Sequence, residues 1–352
     1  MGLKPDAVET NPAFADGDWS FEEDFSKFDL LKNLVKVNWL DAFSPRVPAP
    51  NEGDYEELGG VRMRHHFVEA PGDGATVTWH LVECGPTSSD KPTLVFLHGL
   101  PESWYMWHYQ LSHFASDYHC VAIDLKGYGL SEKEPGDYRQ EGVADQLAAL
   151  FNVLGLESVV IVSHDRGAVI ADYLVANHPD LVSLYIRGQQ HLYHFHPDLA
   201  PQQHLFADPK KSGVLGKPWL IVPFTYTALT ERRIPMADFV RTKREFSYPG
   251  IREAVPRYFN SSTFVKEWRD RRTRLMAGWT CPVLILQGEH DKRQPKKNYE
   301  GLDAYFDDLE VEFIDAGHFF VFENPQATTR AIESFIDRKL RQSAKPRLAV
   351  GG

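Results

Sequence analysis

The sequence predicts an α/β protein with a mostly parallel central sheet, flanking helices and a helical segment inserted over the sheet. Three observations carry this. Short runs nearly continuous in Val, Ile and Leu, "TLVFLH" (93–98), "HCVAID" (119–124), "SVVIVS" (158–163) and "PVLILQG" (282–288), are bounded by Gly, Pro or Asp, as strands buried on both faces are. Amphipathic stretches at 139–154 and 167–178 alternate with them, which gives β-α-β units. Between about 190 and 275 the strand runs stop, and Trp, Tyr, Phe, Arg and Pro accumulate without a period of two.

Each element follows in chain order. Residues 1–55 read as a helical arm and linker: "FEEDFSKFDLLKNLVKVNWLDAF" is amphipathic, and the Pro-rich "SPRVPAPNEGD" follows it. The arm is expected to pack on its own domain. "VRMRHHFVEA" and "ATVTWHLVEC" alternate apolar and polar residues, which suits antiparallel strands at the sheet edge. The sheet then runs from about 60 to 340. Residues 56–189 form the first part of the core, 190–275 a helical cap, 276–342 the second part of the core, and 343–352 a flexible tail.

Composition excludes several classes of function. At 352 residues and 43% hydrophobic, the chain can bury one large core. Its net charge of −11, without a Lys/Arg block, argues against a nucleic-acid surface. Cys84, Cys120 and Cys281 lie far apart without metal-ligand spacing, so they read as core thiols in a reducing compartment and no metal is expected. No apolar run approaches the roughly 20 residues of a membrane span, and no apolar leader follows Met1. The expectation is a cytoplasmic protein without membrane contact; the sequence leaves a homodimer open.

The chemistry centres on "VVIVSHDRGAVIADYL" (159–174). Small residues, Ser163 and Gly167, stand two before and two after Asp165, the spacing of a nucleophile elbow. Such a turn thrusts its central side chain above the sheet in a strained conformation, which only small neighbours permit. A buried Asp capping the following helix is the competing reading of this segment alone. The backbone N–H of Arg166, at the helix start, would face developing negative charge.

Partners for Asp165 occur in the chain order nucleophile, acid, histidine. "PVLILQGEHD" delivers Asp291 after one late strand, and "VEFIDAGHFFVFENP" delivers His318 after the next. Glu289 is the alternative acid. Upstream, "FLHGLPESWYMW" places His98-Gly99-Leu100-Pro101 directly after a strand, where the N–H of Leu100 can complete an oxyanion hole with that of Arg166. "DLKGYGLSEK" adds Gly127, Gly129 and Ser131 at another strand end.

Together "HGLPESW", "KGYGLS", "SHDRG", "GEHD" and "AGHFFVFENP" resemble the epoxide-hydrolase and dehalogenase branch of the α/β-hydrolases over roughly residues 56–340. The Asp at the elbow is the specific part, since esterases and lipases carry Ser there. The resemblance implies an α/β-hydrolase fold, no cofactor, and an alkyl ester formed on Asp165. His318, oriented by Asp291, would then activate the water that hydrolyses the ester.

In epoxide hydrolases, cap tyrosines protonate the opening alkoxide. "VPRYFNSS" resembles one such position and makes Tyr258 the candidate acid, with a packed tyrosine as the alternative. At the other position Leu220 aligns, and Tyr226, Tyr193, His191 and His194 are the residues nearby that could fill it. His98, Pro101, Trp104, Trp219 and Tyr226 are expected to line the substrate site. With Phe224 and Phe259, the cap aromatics point to an epoxide bearing an apolar or aryl substituent.

Arg166 marks a departure. Epoxide hydrolases and haloalkane dehalogenases usually carry Trp there, and Leu100 replaces another usual halide donor, so haloalkanes are disfavoured. Fluoroacetate dehalogenases carry Arg at this point and a second Arg four positions after the nucleophile, where this chain has Val169. A haloacid dehalogenase is therefore the second reading. A binding protein without catalysis is the third, and it has no need to retain Asp165, Asp291 and His318 together.

Overall fold

The computed structural model describes residues 48–88, 90–188, 212–260, 277–291 and 308–343, together with Leu31, Val35, Trp39, Gln294, Lys296 and Tyr299. Most of the N-terminal arm, the tail beyond 343, and Tyr193, His191 and His194 lie outside these residues.

Among the described residues nine strands form one sheet: β1 (Tyr55–Leu58), β2 (Val61–Pro71), β3 (Thr76–Cys84), β4 (Leu94–Leu97), β5 (Cys120–Ile123), β6 (Val159–His164), β7 (Val182–Gly188), β8 (Val283–Gly288) and β9 (Leu309–Ile314). Their order is β1-β2-β3-β5-β4-β6-β7-β8-β9. The first three strands pair antiparallel, and β3 meets β5 antiparallel; every pair from β5 to β9 is parallel. This division follows the sequence pattern. All residues of β4, β5, β6 and β8 are buried, as the continuous apolar runs require, whereas β2 alternates along much of its length.

The helices are α1 (His108–Phe114), α2 (Gln140–Leu154), α3 (Arg166–Asn177), α4 (Pro218–Leu229), α5 (Met236–Glu245), α6 (Ile251–Asn260), α7 (Phe320–Glu323) and α8 (Pro325–Ser343). The expected helices at 139–154 and 167–178 are α2 and α3. Gly155, at φ 65°, ends α2 in the left-handed conformation that glycine adopts without steric cost. α3 is tied to the sheet by a buried ion pair, in which Nε of Arg187 on β7 donates to Asp172 at 2.9 Å and Nη2 at 3.0 Å. Between β7 and β8, the described part of the expected insertion is the helical run α4 to α6. No helix among the described residues is long and apolar enough to cross a membrane.

The architecture places four strand ends side by side. β4, β5, β6 and β8 are parallel neighbours or near neighbours, so the loops after Leu97, Ile123, His164 and Gly288 leave the sheet on one edge. An open α/β sheet builds its sites at those carboxyl ends.

Candidate active site

Asp165 sits between β6 and α3 at φ 47° and ψ −113°, a positive φ that a side chain rarely adopts. Its N–H donates to the carbonyl of Gly188 at 3.1 Å, and its own carbonyl accepts from Ala168 and Val169 to start α3. Asp165 is the N-cap residue of α3, but its side chain makes no helix-capping bond. Glycines make room for this turn. A Cβ on Gly167 would lie 2.4 Å from the Leu97 carbonyl oxygen, and one on Gly99 would lie 2.5 Å from Cβ of Asp165. Ser163, the other small neighbour, donates its hydroxyl to the Ile186 carbonyl at 3.3 Å.

The loop after β4 turns over the elbow. The N–H of Leu100 donates to Oδ1 of Asp165 at 2.9 Å, the position expected for one oxyanion donor. Arg166 supplies the first residue of α3. His98 holds the loop rather than a substrate: Nε2 accepts from the N–H of Leu125 at 3.0 Å, and Nδ1 bonds the Gly99 carbonyl at 2.8 Å. Both ring nitrogens are thus taken by main chain. Burial keeps its pKa below the ordinary histidine value.

His318 and Asp291 converge on the same point. Nδ1 of His318 bonds Oδ2 of Asp291 at 3.0 Å, and Nε2 stands 3.7 Å from Oδ2 of Asp165. Burial pushes the His318 imidazolium down, but its bond to Asp291 and the charges of Asp291 and Asp165 outweigh this and raise its pKa. Glu289, the alternative acid, is exposed and bonds Lys296 at 3.0 Å instead. His164 donates from Nε2 to the His318 carbonyl at 2.9 Å, and burial holds its pKa down at about 3, so it stays neutral.

One residue of this loop has no counterpart in the sequence reading. Oε2 of Glu323 accepts from the N–H groups of Glu231 (2.7 Å), Arg232 (2.7 Å) and Gly317 (3.1 Å), while Oε1 accepts from Phe319 (3.1 Å). The N–H of His318 itself donates to the carbonyl of Leu229, at the end of α4. The histidine loop and the helical insertion are therefore stitched together around one buried carboxylate. Its only sequence signal is an acid shortly after the histidine.

The expected substrate residues differ in placement. Tyr258 is buried, and its hydroxyl donates to the Lys126 carbonyl at 2.6 Å. Tyr226 is buried as well, with its hydroxyl bonded to Oε1 of Glu102 at 2.5 Å and to Thr242 at 3.1 Å. Burial raises the Glu102 carboxyl to about 8. Phe259 lies under the Arg166 guanidinium, 3.9 Å from the ring centroid. Pro101 and Trp104 are buried beside the loop after β4, and Trp104 donates its N–H to Asp124 at 2.8 Å. Trp219 is 51% exposed at the start of α4 and lies apart from the buried residues named here.

Comparison with known proteins agrees with this geometry. Residues 92–210 match the family model of the alpha/beta hydrolase fold. Epoxide hydrolase 3 of Xenopus tropicalis is 35% identical over 338 residues, covering 88% of this chain and 86% of that protein. Among solved structures, an epoxide hydrolase from Vigna radiata aligns with TM-score 0.62 at 24% identity, covering 78% of this chain and 98% of its own. The haloalkane dehalogenase DbeA from Bradyrhizobium elkani aligns with TM-score 0.65 at 23% identity, covering 80% and 99%. An aspartate on a strained elbow, a paired histidine at its carboxylate and these likenesses together place the chain in the α/β-hydrolase family, within its epoxide hydrolase and dehalogenase branch.

Proposed function

We propose that this enzyme hydrolyses epoxides to vicinal diols through an ester on Asp165. The observation that carries the reading is the division of labour on one carboxylate: Leu100 donates to Oδ1, while Oδ2 faces Nε2 of His318. Oδ2 attacks an epoxide carbon, its C–O bond breaks, and the alkoxide takes a proton from a tyrosine, with Tyr258 as the candidate. Water bound to Nε2 then gives its proton to His318 and adds to the carboxyl carbon. Oδ1 becomes the oxyanion, facing the N–H of Leu100 and the start of α3 at Arg166. The rings of Tyr226 and Phe319, 4.6 Å apart, and Phe259 under the Arg166 guanidinium support an apolar or aryl substituent on the epoxide.

His318→Gln tests this directly. With styrene oxide, the variant is expected to gain the mass of the whole epoxide, mapped to Asp165, because ester formation survives and hydrolysis does not. An unmodified Asp165 in both proteins, without diol formation by the wild type, rejects the reading.

The second reading, haloacid dehalogenation, is favoured by Arg166. Arg166 is 6% exposed and makes no ion pair among the described residues. Val169, however, is a buried apolar residue where the second cation would stand. An adduct from fluoroacetate at substrate mass minus HF, with none from styrene oxide, selects this reading.

A further inference from the structure

Opening an epoxide by a carboxylate requires a proton for the departing alkoxide. Both cap tyrosines singled out by the sequence have bonded hydroxyls. Tyr258 donates to the Lys126 carbonyl, and Tyr226 bonds Glu102 and Thr242. The loop after β5 carries a different hydroxyl. Tyr128, in "KGYG", is completely buried, and its hydroxyl has no hydrogen-bond partner among the described residues.

A buried hydroxyl without a partner forfeits its solvation, a loss that native structures seldom tolerate without a use for the group. The loop holds this side chain firmly. Gly127 and Gly129 take φ values of 84° and 48° on either side of it, and its own N–H donates to Leu125 at 2.9 Å. A Cβ on Gly129 would collide with the Asp124 carboxylate, so the turn depends on that glycine. The ring meets His98 edge-on at 5.3 Å and Tyr258 at 5.7 Å, with Phe246 at 6.3 Å on the cap side. It therefore sits where the loop bearing Leu100 meets the cap, and the charges acting on its hydroxyl are those of Arg166 and Asp165.

We propose that the Tyr128 hydroxyl is a proton donor to the opening alkoxide, acting beside Tyr258, and is thus a catalytic residue supplied by the core rather than the cap. This rests on the epoxide reading above. As Oδ2 of Asp165 bonds to carbon, the carboxylate becomes a neutral ester, and the negative charge that opposed ionisation of Tyr128 disappears as the proton is needed. The Tyr128 O–H bond breaks, its proton goes to the alkoxide, and the tyrosinate left behind is favoured by the charge of the Arg166 guanidinium, which makes no ion pair among the described residues. In the second half, His318 accepts a proton from water. The tetrahedral intermediate collapses, expelling the second alkoxide, which takes that proton back. The carboxylic acid regenerated on Asp165 returns its proton to the tyrosinate through solvent. The balance is one epoxide and one water to one diol.

The test measures ester formation and ester hydrolysis separately, by rapid quench and mass analysis of the full chain, with styrene oxides of graded ring substitution. Tyr128→Phe is expected to slow ester formation about 30-fold or more, to leave hydrolysis of the formed ester within about twofold, and to leave the melting temperature unchanged or raised. The loss should be smallest for substrates whose alkoxide is least basic. A purely structural tyrosine would instead lower the melting temperature and slow both steps alike; that result, or an unchanged rate of ester formation, overturns the proposal. Fluorotyrosine at position 128 keeps the shape and lowers the pKa of the phenol, and should move the alkaline limb of ester formation to lower pH; an unmoved limb also counts against it. If the wild type forms no ester at Asp165, the epoxide reading fails and this proposal with it. Normal ester formation in both proteins rejects only the role of Tyr128.

Discussion

Nε2 of His318 stands 3.7 Å from Oδ2 of Asp165, beyond hydrogen-bond range, while Nδ1 is held by Asp291 at 3.0 Å. An imidazole bonded to the carboxylate would be occupied; this one is oriented yet free to bind a water within reach of the carboxyl carbon. In the proposed reaction this geometry assigns the base to the second chemical step, so losses at His318 and Asp165 should separate in time.

The pH profile follows from the same pair. In the proposed reaction, hydrolysis of the ester needs neutral His318; burial lowers its pKa, and of the two carboxylates that raise it at the site in the free protein only Asp291 keeps its charge once Asp165 is a neutral ester. Its rate should rise with pH as His318 loses its proton and then level off. In Asp291→Asn the hydrogen bond to a charge is lost, so the midpoint should move down and the plateau should fall by about 10²-fold or more. Single-turnover decay of the Asp165 ester across pH 5–9 reads both effects. A midpoint unmoved by Asp291→Asn would mean that another group governs the step.

Much of the geometry of this candidate site was legible in the sequence, because its residues hang on strand ends. Asp165, Asp291 and His318 each follow a run of apolar residues that reads as a strand, and the elbow spacing of Ser163 and Gly167 predicts the strained turn found at φ 47°. The four-residue β1, "YEEL", has too little apolar pattern to be seen, and α1 is too short to establish a period. Where an individual side chain lies was not legible: both nitrogens of His98 bond main chain, and Trp219 is half exposed, and neither placement has a signature in the sequence. Glu323 works through backbone N–H groups, which leave no residue pattern to find.

Glu323→Gln should loosen the histidine loop. The carboxylate accepts four backbone N–H groups from two segments, and an amide can accept through only one of its two terminal atoms. Bonds to a charged acceptor contribute roughly 1.5–3 kcal/mol each, with context lowering the sum. A loss of about 2–4 kcal/mol is expected, measured by denaturant unfolding, with ester hydrolysis slowed more than ester formation. Equal slowing of both steps would show that the carboxylate supports the fold generally rather than the His318 loop.

Gly167→Ala places a methyl group 2.4 Å from the Leu97 carbonyl oxygen, and Leu97 is main chain in a buried strand. Neither side can yield cheaply, so α3 must move away from β4 and carry the elbow with it. Overpacking of this kind costs about 1–3 kcal/mol. The larger effect should fall on catalysis, since a displacement near 1 Å at a reacting group can cost about 10²-fold. Ester formation and the melting temperature, measured on the same protein, check the two effects; retention of full activity would contradict the close approach at the elbow.

Glu102 makes stability itself depend on pH. Burial raises its carboxyl to about 8, with the charge of Asp165 adding to this and the bonds to Tyr226 and Thr242 opposing it. The folded protein therefore keeps a proton that the unfolded chain loses near 4.5, so the contribution is fully present below that value and is lost as pH rises through about 8. In that window stability should decline by about 1.4 kcal/mol per pH unit from this group. Glu102→Gln imitates the neutral carboxyl and can still accept from Tyr226. Denaturant unfolding at pH 5.5, 7 and 8.5 should show the decline in the wild type and a flatter profile in the variant. Parallel profiles would mean that Glu102 is ionised in the folded protein, and that the short bond from Tyr226 is a bond to a carboxylate.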